Sequence, residues 1–117
     1  MNIESATYNK QGDHITRKIL VTYTLENNWR VKIYTRHDKA RKAYLTSVSE
    51  CQVQHRDGYS MEFHAVFTDF SKIVAAVPVA RYSWHTLEAA HNLAFESSHD
   101  LIRQLIESNL TREAVSA

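Results

Sequence analysis

After Ser83 the chain contains neither glycine nor proline, and from that point its apolar residues recur at helical spacing where before they alternated. This change of period divides the sequence. A segment of strands followed by a helical segment must pack one on the other, because each carries an apolar face that needs a cover. Trp84, Leu87, His91, Ala94, Phe95, Ser98, Leu101, Ile102, Leu105 and Ile106 share one stripe on a wheel of about 100° per residue. Ser83 stands where an N-cap is expected, and Ser97 followed by Asp100 resembles a capping box. The spacing therefore predicts a long C-terminal helix with a kink near Ser97-Ser98.

Upstream, turn residues are scarce, so each one is informative. Asn9-Lys10-Gln11-Gly12-Asp13 reads as a first turn, and Arg56-Asp57-Gly58 as a tight hairpin, since Asp-Gly suits a two-residue reversal. From His14 to Leu25, Ile15, Ile19, Val21, Tyr23 and Leu25 fall on one face at period two. Glu26-Asn27-Asn28 turns the chain, after which Trp29, Val31 and Ile33 alternate with Arg30, Lys32 and Tyr34. His37 to Ala43 reads as an irregular connection. Tyr44 to His55 is rich in strand formers but breaks alternation among Leu45, Val48, Cys51 and Val53, which a bulge explains. Tyr59 to Phe67 alternates most cleanly, with its odd positions inward. Thr68-Asp69-Phe70-Ser71 reads as a reversal, and Lys72 to Tyr82 as a strand apolar on both faces, which Pro78 directs to a sheet edge. The fold expected is α+β: a five- or six-stranded, meander-like antiparallel sheet packed against a long, kinked C-terminal helix. Residues 1–110 form one domain and 111–117 a flexible tail.

Composition narrows the function classes. The 117 residues are 44% hydrophobic and 23% charged, the balance of one packed domain. A single cysteine, Cys51, forbids an internal disulfide and a cysteine metal cluster, and points to a reducing, cytoplasmic setting. The first residues lack the basic and apolar regions of a secretion signal. The apolar run Ile73 to Ala80 falls well short of the roughly 20 residues that span a bilayer, so no membrane role is expected. With a formal charge of +1, any electrostatic function rests on local patches.

One such patch stands out. Arg30, Lys32, Arg36, Lys39, Arg41 and Lys42 lie among Trp29 and Tyr34, a mixture of cations and aromatics suited to phosphates and bases. Glu88 with His91, and Glu96 with His99, share the Glu-x-x-His spacing of metal sites, but facing helices with matching ligands are not available. Cys51 or Ser98 with His55, His64, His91 or His99 would be the nominal nucleophile and base, and no catalytic signature accompanies them. The two glycines are too far apart for a phosphate loop. A helical layer covers only one side of a sheet, so a homo-oligomer is expected to cover the other. The reading is a non-enzymatic binding module without cofactor, metal or catalytic residue. It contacts nucleic acid through Trp29, Arg30, Lys32, Tyr34, Arg36, Lys39, Arg41 and Lys42. One alternative is a homodimeric protein-interaction or regulatory module. The other is an enzyme with a small-molecule pocket around Glu88, His91 and His99.

Overall fold

The structure is a computed structural model. It describes residues 7–25, 29–56, 59–63 and 70–116, with side chains described at 9–25, 29–51 and 72–107. In chain order the strands are β1 Thr7–Asp13, β2 Lys18–Thr24, β3 Trp29–Asp38, β4 Ala43–Arg56, β5 Tyr59–Phe63 and β6 Phe70–Pro78. Two helices follow, α1 Trp84–Ser97 and α2 His99–Ser116. The first four strands form an antiparallel meander. β5 and β6 both pair with the remaining edge of β4, β5 along Gln52–Arg56 and β6 along Ala43–Glu50. Six strands thus fill five positions, and the α+β architecture expected from the change of period is present.

Several local expectations change. The stretch Asn9–Asp13 is strand, and the turn lies at His14–Arg17. There Asp13 Oδ1 accepts hydrogen bonds from the backbone N–H groups of Ile15 at 2.8 Å and Thr16 at 3.2 Å, the Asx geometry that reverses a chain without glycine. Ile15, expected on the inner face of β2, stands at the turn tip, 92% exposed. The connection expected from His37 to Ala43 is shorter and regular. β3 runs to Asp38, whose Oδ1 accepts from Arg41 N–H at 3.0 Å, and β4 begins at Ala43. Arg17 and Lys42 close the two turns with positive φ angles of 55° and 50°. Both hairpins therefore use the same Asp-x-x-x-basic device.

β5 and β6 each run antiparallel to β4, hence in the same direction, and Phe70 and Ser71, expected within a reversal, are the first residues of β6. β4 is 14 residues long and offers room for both. The irregular alternation of β4 has a different cause from the bulge expected there. β4 pairs with β3 without interruption, and the shift falls in its pairing with β6, where Thr46 faces Ala75 and Ser47 faces Ile73, leaving Val74 as the extra residue. β4 is buried on both faces at Ala43, Tyr44, Leu45 and Thr46. The inward pattern expected for Tyr59 to Phe67, the turns at Glu26–Asn28 and Asp57-Gly58, and His64 lie outside the described residues or side chains.

Both helices cover the face made by the odd positions of β2 and β3 and the even positions of β4. Two apolar clusters form there. One joins Val21, Leu25, Trp29, Val31, Ile33 and Val48 to Ile102 and Ile106 of α2. The other joins Ile19 and Tyr44 to Leu87 and Ala90 of α1. The helical segment is two helices, and the single long helix expected from the stripe is shortened to 14 residues in α1. The break falls at Ser98, whose N–H reaches Ala94 O while its carbonyl accepts from Ile102 N–H, both at 3.0 Å. Ser97, the expected cap, instead donates its hydroxyl back to Ala94 O at 3.1 Å. α2 continues to Ser116, past the tail boundary expected at Thr111.

The start of α1 is fixed by side chains. Ser83 Oγ accepts from Thr86 N–H at 3.1 Å, as an N-cap should. The Tyr44 hydroxyl, reaching over from β4, accepts from Ser83 N–H at 3.2 Å and lies 2.6 Å from Thr86 Oγ1. The cap is thereby anchored to the sheet. Among the described residues no helix is long and apolar enough to cross a membrane.

Candidate functional site

The first eight residues of β3, Trp29 to Arg36, divide strictly by parity. Trp29, Val31, Ile33 and Thr35 are buried beneath the helices, while Arg30, Lys32, Tyr34 and Arg36 are half-buried on the opposite, outer face. Successive side chains on one face of a strand are about 6.8 Å apart, so the row is an evenly spaced ladder with an aromatic ring among three cations. Register adds a neighbour that sequence reasoning missed: Lys18 of β2 lies directly opposite Arg36, and Leu20 opposite Tyr34. Lys39, Arg41 and Lys42 sit exposed on the turn at the end of the ladder. Of the eight residues expected to contact nucleic acid, seven therefore lie on the outer face or its bounding turn, and Trp29 lies in the core at 6% exposure.

Among the described side chains the charge on this face is positive, with Asp13 and Asp38 at its hairpin end. Asp38 Oδ2 pairs with Arg36 Nη1 at 3.1 Å. The backbone N–H of Arg41 is the chief reason that its carboxyl titrates below the ordinary value. Asp13 is lowered in the same way, mainly by the Thr16 and Ile15 N–H groups. Both stay ionised as turn anchors. Among the described side chains the outer positions of β4 are small or apolar, and Ala43, Leu45 and Cys51 are buried within the chain itself.

At the hairpin end a second group of rings gathers around the start of α1. Trp84 lies over Gly12 and stacks on His14, with ring centroids 3.9 Å apart and planes inclined by 24°. The Arg17 guanidinium sits 4.2 Å above the Tyr82 ring. His37 is 5.3 Å from Tyr82 and 5.6 Å from Tyr44, measured between centroids. Arg17 Nη1 lies 3.5 Å from His37 Nδ1, and because arginine only donates, that nitrogen is the acceptor of a neutral ring. Desolvation, followed by the charges of Arg17 and Lys39, holds His37 below its ordinary pKa. On the outer face beside this end, β1, β2, β3 and the first turn enclose an open groove of about 850 Å³.

The helix residues of the alternative pocket occupy different settings. His91 is 1% exposed, and its Nδ1 lies 2.7 Å from Thr35 Oγ1, which is 2.8 Å from Thr46 Oγ1. Burial, then the charge of Lys10, pushes its pKa down to about 4. It is a neutral core histidine with a satisfied nitrogen. Glu88 is half-buried and His99 exposed at the start of α2, beyond the break. Cys51 is buried on the outer side of β4, opposite Arg30, and Ser98 forms the break between the helices. The His55 side chain lies outside the described set. Among the described residues no three His, Cys, Asp or Glu side chains gather to hold a metal ion. The signal that would have located Lys18 beside the ladder is the repeated Asp-x-x-x-basic spacing at Asp13–Arg17 and Asp38–Lys42, which sets both hairpins and hence the register. No family model matches the chain, and no curated protein or solved structure matches it either.

Proposed function

We propose that this protein is a non-enzymatic binding module whose outer sheet face takes single-stranded nucleic acid along β3. The observation that carries the reading is the parity of that strand: Arg30, Lys32, Tyr34 and Arg36 share the face that the helices leave uncovered. A regular row of cations tracks a phosphate backbone, and a ring between them offers a surface on which any base can stack. Lys18 and the turn residues Lys39, Arg41 and Lys42 extend the positive field at one end. Ala43, Leu45 and Cys51 on the outer side of β4 are buried within their own chain, so they do not by themselves support the homo-oligomer expected from the sequence. A reducing, cytoplasmic setting accords with a lone cysteine, Cys51, that forms no disulfide.

Fluorescence anisotropy with labelled single-stranded DNA, RNA and duplex DNA, over a range of salt concentrations, tests this. Single strands should bind, with an affinity that falls steeply as salt rises. Lys32→Ala with Arg36→Ala should lower the magnitude of the log–log salt slope by about 0.7 for each phosphate contact removed. Absence of binding at low salt, or binding that the double variant leaves unchanged, would overturn the proposal.

A further inference from the structure

The groove beside the ladder has the parts of a base-binding subsite. Its floor and one wall are a cross-strand row in which Gln11 of β1 pairs with Leu20 of β2, and Leu20 with Tyr34 of β3. Its far rim is the first turn, where Ile15 is held 92% exposed by the hydrogen bonds of Asp13 to the backbone. An isoleucine fixed in water at the mouth of a groove contributes nothing to the core, but it offers apolar surface to a ligand ring. Besides Lys18, the polar side chains of the lining are the Gln11 amide, which both donates and accepts, the Asp13 carboxylate, which accepts, the His14 ring and the Tyr34 hydroxyl. Lys18 lines the same groove and stands opposite Arg36, so a cation row begins where the groove ends. At about 850 Å³ the space lies within the usual range of small-ligand sites.

We infer that this groove takes one base of the bound strand, its ring against Tyr34 and Ile15 over Leu20, with the adjoining phosphate on Lys18 and Arg36. The inference rests on the nucleic-acid reading of the outer face and deepens it. That face supplies affinity for a backbone, and the groove adds a preference for a strand that carries bases. Charge complementarity selects the occupant, because an apolar slot continuous with a row of cations fits a molecule that joins flat rings to phosphates.

The test compares two labelled strands of equal length by anisotropy, a single-stranded DNA of mixed sequence and a strand whose sugars carry no bases. The base-bearing strand should bind about tenfold or more tightly, the scale of a single stacked base. Ile15→Ser should reduce that advantage while leaving the affinity for the abasic strand and its salt slope unchanged, and Tyr34→Ala should also reduce the advantage. Ile15→Ser alters only an exposed side chain, so it gives a reading even if Tyr34→Ala does not fold. Equal binding of the two strands, or an advantage that survives both substitutions, overturns the groove assignment and leaves the backbone reading standing. Binding of neither strand overturns both.

Discussion

A methyl group on Gly12 would meet the Trp84 indole at 2.7 Å, closer than a Cβ can sit. Gly12 lies within β1 on the helix side, opposite Ile19, and its missing side chain is the space that the indole occupies. Two effects oppose each other when it is replaced. Alanine restricts the unfolded chain and so favours folding by about 0.4–1 kcal/mol, whereas overpacking against a ring already stacked on His14 costs roughly 1–3 kcal/mol. Gly12→Ala should therefore be destabilising by chemical denaturation, with a change in the near-ultraviolet signal of tryptophan; a stabilised variant would mean that the indole yields freely. The same residue shows why sequence reading failed locally. Glycine among Asn, Lys and Asp resembles a turn, but its reason here is a tryptophan far along the chain, and no local pattern carries that information. Trp29 is the reverse case, since alternation with Arg30 and Lys32 placed it on the core side even though an aromatic beside cations invited a surface role.

At the level of elements, the two Asp-anchored hairpins share a backbone device but differ in what their left-handed residue touches. Lys42, with φ 50°, is exposed at the turn, and glycine there would relieve strain of roughly 1–2 kcal/mol, offset in part by the extra freedom of glycine in the unfolded chain. Lys42→Gly should be neutral or raise stability by up to about 1 kcal/mol. Arg17, with φ 55°, also covers Tyr82 and reaches His37, so Arg17→Gly loses those contacts and should be the less stable of the two variants in thermal unfolding. The reverse order would show that the cation over the ring contributes little. Periodicity made β2, β3 and the start of α1 legible, and the break between the helices was readable from Ser97-Ser98. It could not reveal that β5 and β6 share one edge of β4. Pairing between strands depends on length and on residues distant in sequence.

For the molecule as a whole, the chain Thr46, Thr35 and His91 ties the middle of the sheet to α1 in a core whose other buried side chains are mostly apolar. Its state should govern the acid limit of the fold. A histidine whose folded pKa of about 4 lies below its ordinary 6.5 is protonated first in the unfolded chain as the pH falls. Its contribution is complete above about pH 6.5 and is lost through the window down to pH 4, up to roughly 3 kcal/mol. The charge of Lys10 reinforces this shift. Urea unfolding at stepped pH should show stability rising with pH across this interval, and His91→Asn should flatten the slope, with an unaltered slope refuting the role. The depressed carboxyls of Asp13 and Asp38 lose their contribution at lower pH, which separates the two effects. The candidate ladder was largely readable in the sequence, because period two sorts β3 by itself, whereas the groove was not, because it needs the register of three strands. The parity of β3 also bears on how such a protein can change over generations. Substitutions at its even positions can exchange one ligand preference for another while the core stays intact, but losing or gaining a single residue in β3 would carry the cations inward and the apolar residues outward in one step. The recognition proposed for this face can drift by replacement and not by insertion or deletion.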